Sequence, residues 1–369
     1  MDAGVALDVP DVVVVDDGYV QANWPFLRQR LRAGLVKREL TVLWASLGKG
    51  QRIRDLYGIA AVPAVVVLDV EPDEADIAAL SKLEVLAGVT GGAELAVADQ
   101  LAARGIPFVD ASRGRSRSRA EMAIGLMIAA LRQIPTWHNV VTDGPANWPR
   151  PSWQYTDHPG YVNGTVCGKQ VAVLGMDPTS RNVIALCAGL GAHVWAVDPH
   201  TDDTDFGELG AQRIQLDEVA SVADVVVVAG DSSAPMLTSE MVERLPRGAL
   251  VVTVSGAGVD MTALRRRVLA DELMWSTDTY ESVPVAAGDP ILDRHNVVHT
   301  PGIGACTRDA NLAVADILTE NIARILSGGA PLPWDCIPAV AVDDESSRPA
   351  PSITADPLVR SDSGVEAQS

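Results

Sequence analysis

An α/β protein made of two doubly wound parallel-sheet domains is predicted by three features of the 369-residue sequence. Short β-branched runs recur along the chain, helix-like stretches lie between them, and the runs fall into two series separated by one long helical pattern. Buried parallel strands read as continuous apolar runs because both faces are covered, and strands alternating with helices build parallel sheets.

The first series has runs at 11–16 (DVVVVD), 40–44 (LTVLW), 64–69 (AVVVLD), 83–87 (LEVLA) and 106–110 (IPFVD), with helical stretches at 25–33 and 93–104. A helix over 117–139 follows. The second series has runs at 170–175, 193–198, 225–229, 249–255, 272–277 and 296–300, and a closing amphipathic helix is expected over 309–326. Residues 1–9 read as a loose tail. From 338 to 369 the chain is polar and rich in Pro and Ser, which predicts disorder.

Composition narrows the function classes. The net charge is −19, from 48 acidic and 29 basic residues, which argues against a nucleic-acid partner because phosphate binding needs a basic face. No apolar run reaches the ~18 residues that span a membrane. The start, MDAGVALDVPD, has neither a basic n-region nor an apolar core, so a cytoplasmic location is expected. Cys167, Cys187, Cys306 and Cys336 show no metal-ligand spacing and read as ordinary thiols, so no metal is expected.

The second series opens on a nucleotide-loop context: strand, tight turn, helix, and an acid about twenty residues on. The turn is Gly175-Met176-Asp177-Pro178-Thr179-Ser180-Arg181, and the acid is Asp198. Of the three glycines in GxGxxG only Gly175 is present; Asp177 and Ser180 replace the others. A side chain at Asp177 fills space that the backbone needs to approach a pyrophosphate, and its charge opposes one. Two readings stand at this point: a dinucleotide seat, or a helix N-cap on Asp177 or Thr179. If a dinucleotide binds, Asp198 favours NAD over NADP. NAD is therefore the cofactor implied, held weakly or not at all.

Several segments in order resemble the D-isomer-specific 2-hydroxyacid dehydrogenase family. They are Ala120-Glu121, then Arg132-Gln133-Ile134-Pro135 with His138; Gly191 through Asp198-Pro199; Gly248-Ala249, Val259-Asp260 and Ala263-Leu264; Asp278; Asn296-Val297, Thr300-Pro301 and Gly304; and Asn321-Ile322 with Pro331-Leu332. The resemblance implies a flavodoxin-like substrate domain, 10–116 plus 306–337, and a Rossmann-type nucleotide-binding domain, 117–305. It also implies a homodimer, an oxidoreductase activity, and a role for Asp278 in holding the carboxamide.

Family members use an Arg, a Glu and a His for hydride transfer. Carried over residue by residue, these positions fall at Ser255 (or Gly256), Val283 and Gly302, and none keeps its functional group. The family's contact near the nicotinamide is replaced by Ala229-Gly230-Asp231. His299 is a candidate substitute acid–base group, with Tyr280 and Glu281 flanking the lost Glu; the alternative is a structural histidine at a strand end. Thr90-Gly91-Gly92 falls near the family's carboxylate-binding glycine loop, or is a tight turn.

Arg113, Arg115, Arg117 and Arg119 make a dense basic run in an acidic chain. Arginine suits two-point binding of carboxylate or phosphate, so Arg115 and Arg117 read as anion ligands in the interdomain cleft, or else as solvated partners of surface acids. The sequence thus predicts a divergent dehydrogenase-like protein acting on a small anionic molecule, with ordinary NAD-dependent 2-oxo acid reduction lost. The rival is a non-catalytic ligand-binding or partner subunit.

Overall fold

The computed structural model describes residues 9–90, 95–144, 158–199, 201–230, 237–255 and 258–337. The two terminal tails, apart from Val9, lie outside the described residues. Two α/β domains are formed. The first sheet contains β1 (Val12–Asp16), β2 (Val42–Ser46), β3 (Ala64–Leu68), β4 (Val85–Gly88) and β5 (Phe108–Asp110). The second contains β6 (Gln170–Leu174), β7 (His193–Val197), β8 (Ala211–Arg213), β9 (Val225–Val228), β10 (Leu250–Thr253), β11 (Met274–Thr277) and β12 (Val297–His299). A last short strand, β13 (Cys336–Ile337), returns to the first sheet.

The first sheet runs β13-β5-β4-β3-β1-β2, the flavodoxin-like order with an added edge strand. The second runs β12-β11-β10-β9-β6-β7-β8, the Rossmann order extended by one strand. Alternation of side chains along each strand gives every sheet two buried faces. Val12, Val14, Ala64 and Val66 pack under the helices Pro25–Lys37 and Arg308–Leu326, through Leu27, Leu31, Val314 and Leu318. Val13, Val15, Val65 and Val67 face the other way, onto Ile53, Ile77 and Leu101. In the second sheet Val171, Val173, Val225 and Val227 meet the helices Ser116–Leu131 and Pro178–Gly189. Ala172, Leu174, Val226 and Val228 meet Met241, Leu264 and Val268.

The closing helix crosses back onto the first domain at close range. A Cβ on Gly114 would lie 2.6 Å from the Val314 backbone nitrogen, so only glycine admits this approach.

Four expectations need correction. The 117–139 helix is two helices, Ser116–Leu131 and Ile134–Thr142, broken where Gln133 turns left-handed (φ 50°). Pro135 explains the break: it has no N–H to give, and its ring would meet the carbonyl of Leu131 in a continuous helix. The strand expected at 40–44 lies two residues later, because Leu40 N–H still closes the preceding helix on Leu35 O at 3.1 Å. The helix expected at 93–104 is described as Ala98–Ala103, with 93–94 outside the described residues. The first sheet is not wholly parallel, since β13 pairs antiparallel with β5, Cys336 opposite Val109. Neither β13 nor the polar edge strand β8 carries enough apolar pattern to be read from sequence.

Candidate functional site

The order of the second sheet reverses between β6 and β9, and the crevice outside the strand ends at such a point is where an open α/β sheet takes its ligand. Two loops line it. After β6, Gly175 adopts φ 101° and Asp177 caps the helix Pro178–Gly189. Asp177 Oδ1 accepts the backbone N–H of Thr179 at 2.7 Å and of Ser180 at 3.2 Å. Its Oδ2 accepts the Ser180 hydroxyl at 3.0 Å. Pro178, the first helical residue, has no N–H. After β9 comes Gly230, where a Cβ would stand 2.1 Å from Asp177 Oδ2.

A helix start normally offers its orphan N–H groups to a phosphate. Here Pro178 lacks one, and those of Thr179 and Ser180 already bond a carboxylate. The Asp177 carboxylate thus occupies these two helix-start donors. Arg181 donates to Met176 O at 3.0 Å and to Asp205 at 2.8 Å, and Asp198 stands half-buried just past β7. Asp231 lies outside the described residues.

The transferred catalytic positions follow β10, β11 and β12 on the same sheet edge. Ser255 is buried; Gly256 lies outside the described residues. Val283 is 77% exposed, ahead of a cis peptide to Pro284. Gly302 is exposed with φ 76°. Arg265, on the helix beyond β10, is held by Asp289 at 2.6 and 2.7 Å. Asp278 is buried, and its carboxylate accepts Thr300 Oγ1 (2.6 Å), Ile303 N–H (2.9 Å) and Gly304 N–H (2.7 Å). Its two oxygens thus clasp the 300–304 turn.

His299 ends β12 half-buried, its Nδ1 hydrogen-bonded to the Tyr280 hydroxyl. Burial pushes Tyr280 up to about 12, so the phenol keeps its proton. Burial also lowers the His299 pKa, with the Ile291 backbone and Asp289 pulling the other way. The lowered value has a stability consequence. The unfolded chain takes its proton first, near the ordinary 6.5, so the contribution of neutral His299 is full above about pH 6.5 and is lost as pH falls through the lower folded value. Urea unfolding of wild type and His299→Gln should show the wild-type stability dropping more steeply below about pH 6.5. Parallel pH curves would rule this out.

The arginine run does not converge. Arg113 pairs with buried Asp335 at 2.7 and 3.2 Å, Arg115 stacks 3.9 Å above Trp24, and Arg117 pairs with Glu121 at 2.7 Å, both exposed. The expected anion cradle at Arg115 and Arg117 is corrected for a geometric reason. The run crosses from the 3₁₀ turn Ala111–Arg115 into a helix, and residues two apart there point about 200–240° apart. Thr90 is anchored by Asp110, its hydroxyl at 2.6 Å and its N–H at 3.2 Å; Gly91 and Gly92 lie outside the described residues.

Sequence reasoning missed Gly230 as the floor under Asp177, and no local signal marks it. It also missed the clasp made by Asp278, which needed the long-range register of β11 and β12. All four cysteines are free. Among the described residues, no group of three or more His, Cys, Asp or Glu is placed to hold a metal ion, and no helix is long and apolar enough to cross a membrane.

Residues 124–304 match the family described as D-isomer specific 2-hydroxyacid dehydrogenase, NAD binding domain. Similar curated proteins include the D-3-phosphoglycerate dehydrogenase of Archaeoglobus fulgidus, 28% identical over 287 residues, covering 76% of this chain and 52% of the relative. That of Mycobacterium tuberculosis is 27% identical over 299 residues, covering 77% and 54%. The match thus spans about half the length of these relatives. Among solved structures, a phosphoglycerate oxidoreductase from Rhizobium etli has a TM-score of 0.74 at 17% identity, covering 89% of this chain and 98% of that one. The D-lactate dehydrogenase of Escherichia coli has a TM-score of 0.65 at 18% identity, covering 87% and 98%. At these identities the structural likeness speaks to the fold.

Proposed function

We propose, for a chain whose residues 124–304 belong to the D-isomer specific 2-hydroxyacid dehydrogenase NAD-binding domain family, that it has given up NAD-dependent 2-oxo acid reduction and serves as a small-molecule-binding protein. The chain is D-2-hydroxyacid dehydrogenase-like in fold and family. One observation carries the further step: the three positions that supply a cation, the acid's partner and the acid are Ser255, Val283 and Gly302, and of the nearby side chains Arg265 is held by Asp289 and His299 by Tyr280.

Weak or lost NAD binding belongs to this proposal and is supported by the filled seat at Asp177. An anionic ligand is not part of it, because Arg113, Arg115 and Arg117 each have a partner within the chain.

Thermal unfolding tests the reading. A ligand at a hundred times its Kd stabilises the folded state by about 2.7 kcal/mol, a shift of several degrees. Glyoxylate, pyruvate and hydroxypyruvate, each added with NADH, are expected to leave Tm where NADH alone leaves it. A further rise that needs both the 2-oxo acid and NADH would overturn the proposal.

A further inference from the structure

The phosphate seat of the second domain is filled by the chain itself. A Rossmann-type crevice recognises a dinucleotide chiefly at two charged points: an acid after the second strand takes the ribose hydroxyls, and a helix start takes the pyrophosphate. This chain keeps the first and has closed the second. Asp198 follows β7 as the ribose position requires. At the helix start, the N–H groups of Thr179 and Ser180 and the Ser180 hydroxyl all point to one carboxylate, at 2.7, 3.2 and 3.0 Å.

The closure is built from both loops of the crevice. Asp177 supplies the anion, and Pro178 removes the donor that would have been left over. Gly230, from the loop after β9, gives the carboxylate its room: any side chain there would collide with Oδ2. Arg181, which could otherwise draw a phosphate to the turn, is tied to Met176 O and Asp205. A pyrophosphate entering this crevice must either expel the carboxylate from three hydrogen bonds or sit beside it as a second anion without the N–H groups of Thr179 and Ser180. A group without phosphate meets neither obstacle, and a cationic one gains from the carboxylate.

We propose that Asp177 is a resident anion in the phosphate seat, so that the switch-point crevice takes a nucleoside without phosphate, uncharged or cationic, in preference to a phosphorylated one. This rests on the binding-protein reading above and names the ligand class for its Rossmann-type domain.

Titration calorimetry on the full chain tests it, with adenosine, AMP, ADP and NAD as probes. Wild type should bind adenosine at least about tenfold more tightly than ADP or NAD. Asp177→Gly frees the helix donors and should tighten NAD at least about tenfold, reversing the order. Glycine is well tolerated at an N-cap, so this variant keeps its helix. Asp177→Asn keeps the volume and the cap but removes the charge, and should fall between the two.

Three results would overturn the proposal: NAD binding wild type as tightly as adenosine, an NAD affinity unchanged in Asp177→Gly, or no adenosine binding up to millimolar concentration. The binding-protein reading fails separately, on a joint response to NADH and a 2-oxo acid, which the order of these four probes does not touch.

Discussion

Purified protein supplied with NADH and glyoxylate or pyruvate is expected to oxidise NADH more slowly than about 10⁻³ s⁻¹, against a usual enzyme turnover of about 10 s⁻¹. Hydride transfer to a 2-oxo acid builds negative charge on the carbonyl oxygen, which needs a proton donor and a positioned cation as it develops. Losing the general acid costs roughly 10²–10⁴-fold, and losing the electrostatic stabiliser roughly 10²–10³-fold more. Such groups act as a unit, so the two losses do not multiply fully, and a combined loss of about 10⁴ is the conservative figure. Gly302→His alone is not expected to recover the rate. The histidine would stand at a left-handed backbone position, with Val283 77% exposed where its partner belongs and no arginine between Gly248 and Ala263. Absorbance at 340 nm measures both proteins; a wild-type turnover near 10 s⁻¹ would mean that another group supplies the acid.

Asp278→Ala is expected to destabilise the second domain by about 3 kcal/mol. The carboxylate is 4% exposed and accepts three hydrogen bonds from the 300–304 turn. Hydrogen bonds to a charged group contribute roughly 1.5–3 kcal/mol each, partly offset by no longer burying the charge. The turn has no slack to find other acceptors. A Cβ on Gly304 would already lie 2.7 Å from Asp278 Oδ2 and 3.3 Å from Met122, so the turn is pressed against the Ser116–Leu131 helix. For a domain of this size Tm should fall by about 6–12 °C. Calorimetric scans of wild type and variant decide the matter: a fall of less than about 2 °C would return Asp278 to the ligand-facing role that the family resemblance implies.

What was legible in the sequence follows from the range of the interactions involved. The strands show because Val12–Val15 and Val225–Val228 are β-branched on both faces, a pattern visible within one run. The N-cap alternative at Asp177 was visible because an Asp before Pro is a local signal, and the bonds to Thr179 and Ser180 bear out that local geometry. The break at Gln133 was missed, since the apolar pattern runs on through 117–139, although Pro135 marks it locally. Gly230 was not, because its meaning depends on β9 lying beside β6. The arginine run misled for a related reason: nearness in sequence was read as convergence in space, while helical rotation sends Arg113, Arg115 and Arg117 to Asp335, Trp24 and Glu121.

The proposed loss of hydride transfer is tested most directly by isotope transfer. Protein, NADH deuterated on the transferring carbon and glyoxylate are held together overnight, and glycolate is analysed by mass spectrometry for carbon-bound deuterium. With Ser255, Val283 and Gly302 in place of the cation, the acid's partner and the acid, deuterium in glycolate should not exceed the protein-free control. Deuterated glycolate accumulating to many equivalents of protein would contradict this and show that the chain is a working dehydrogenase with a relocated acid.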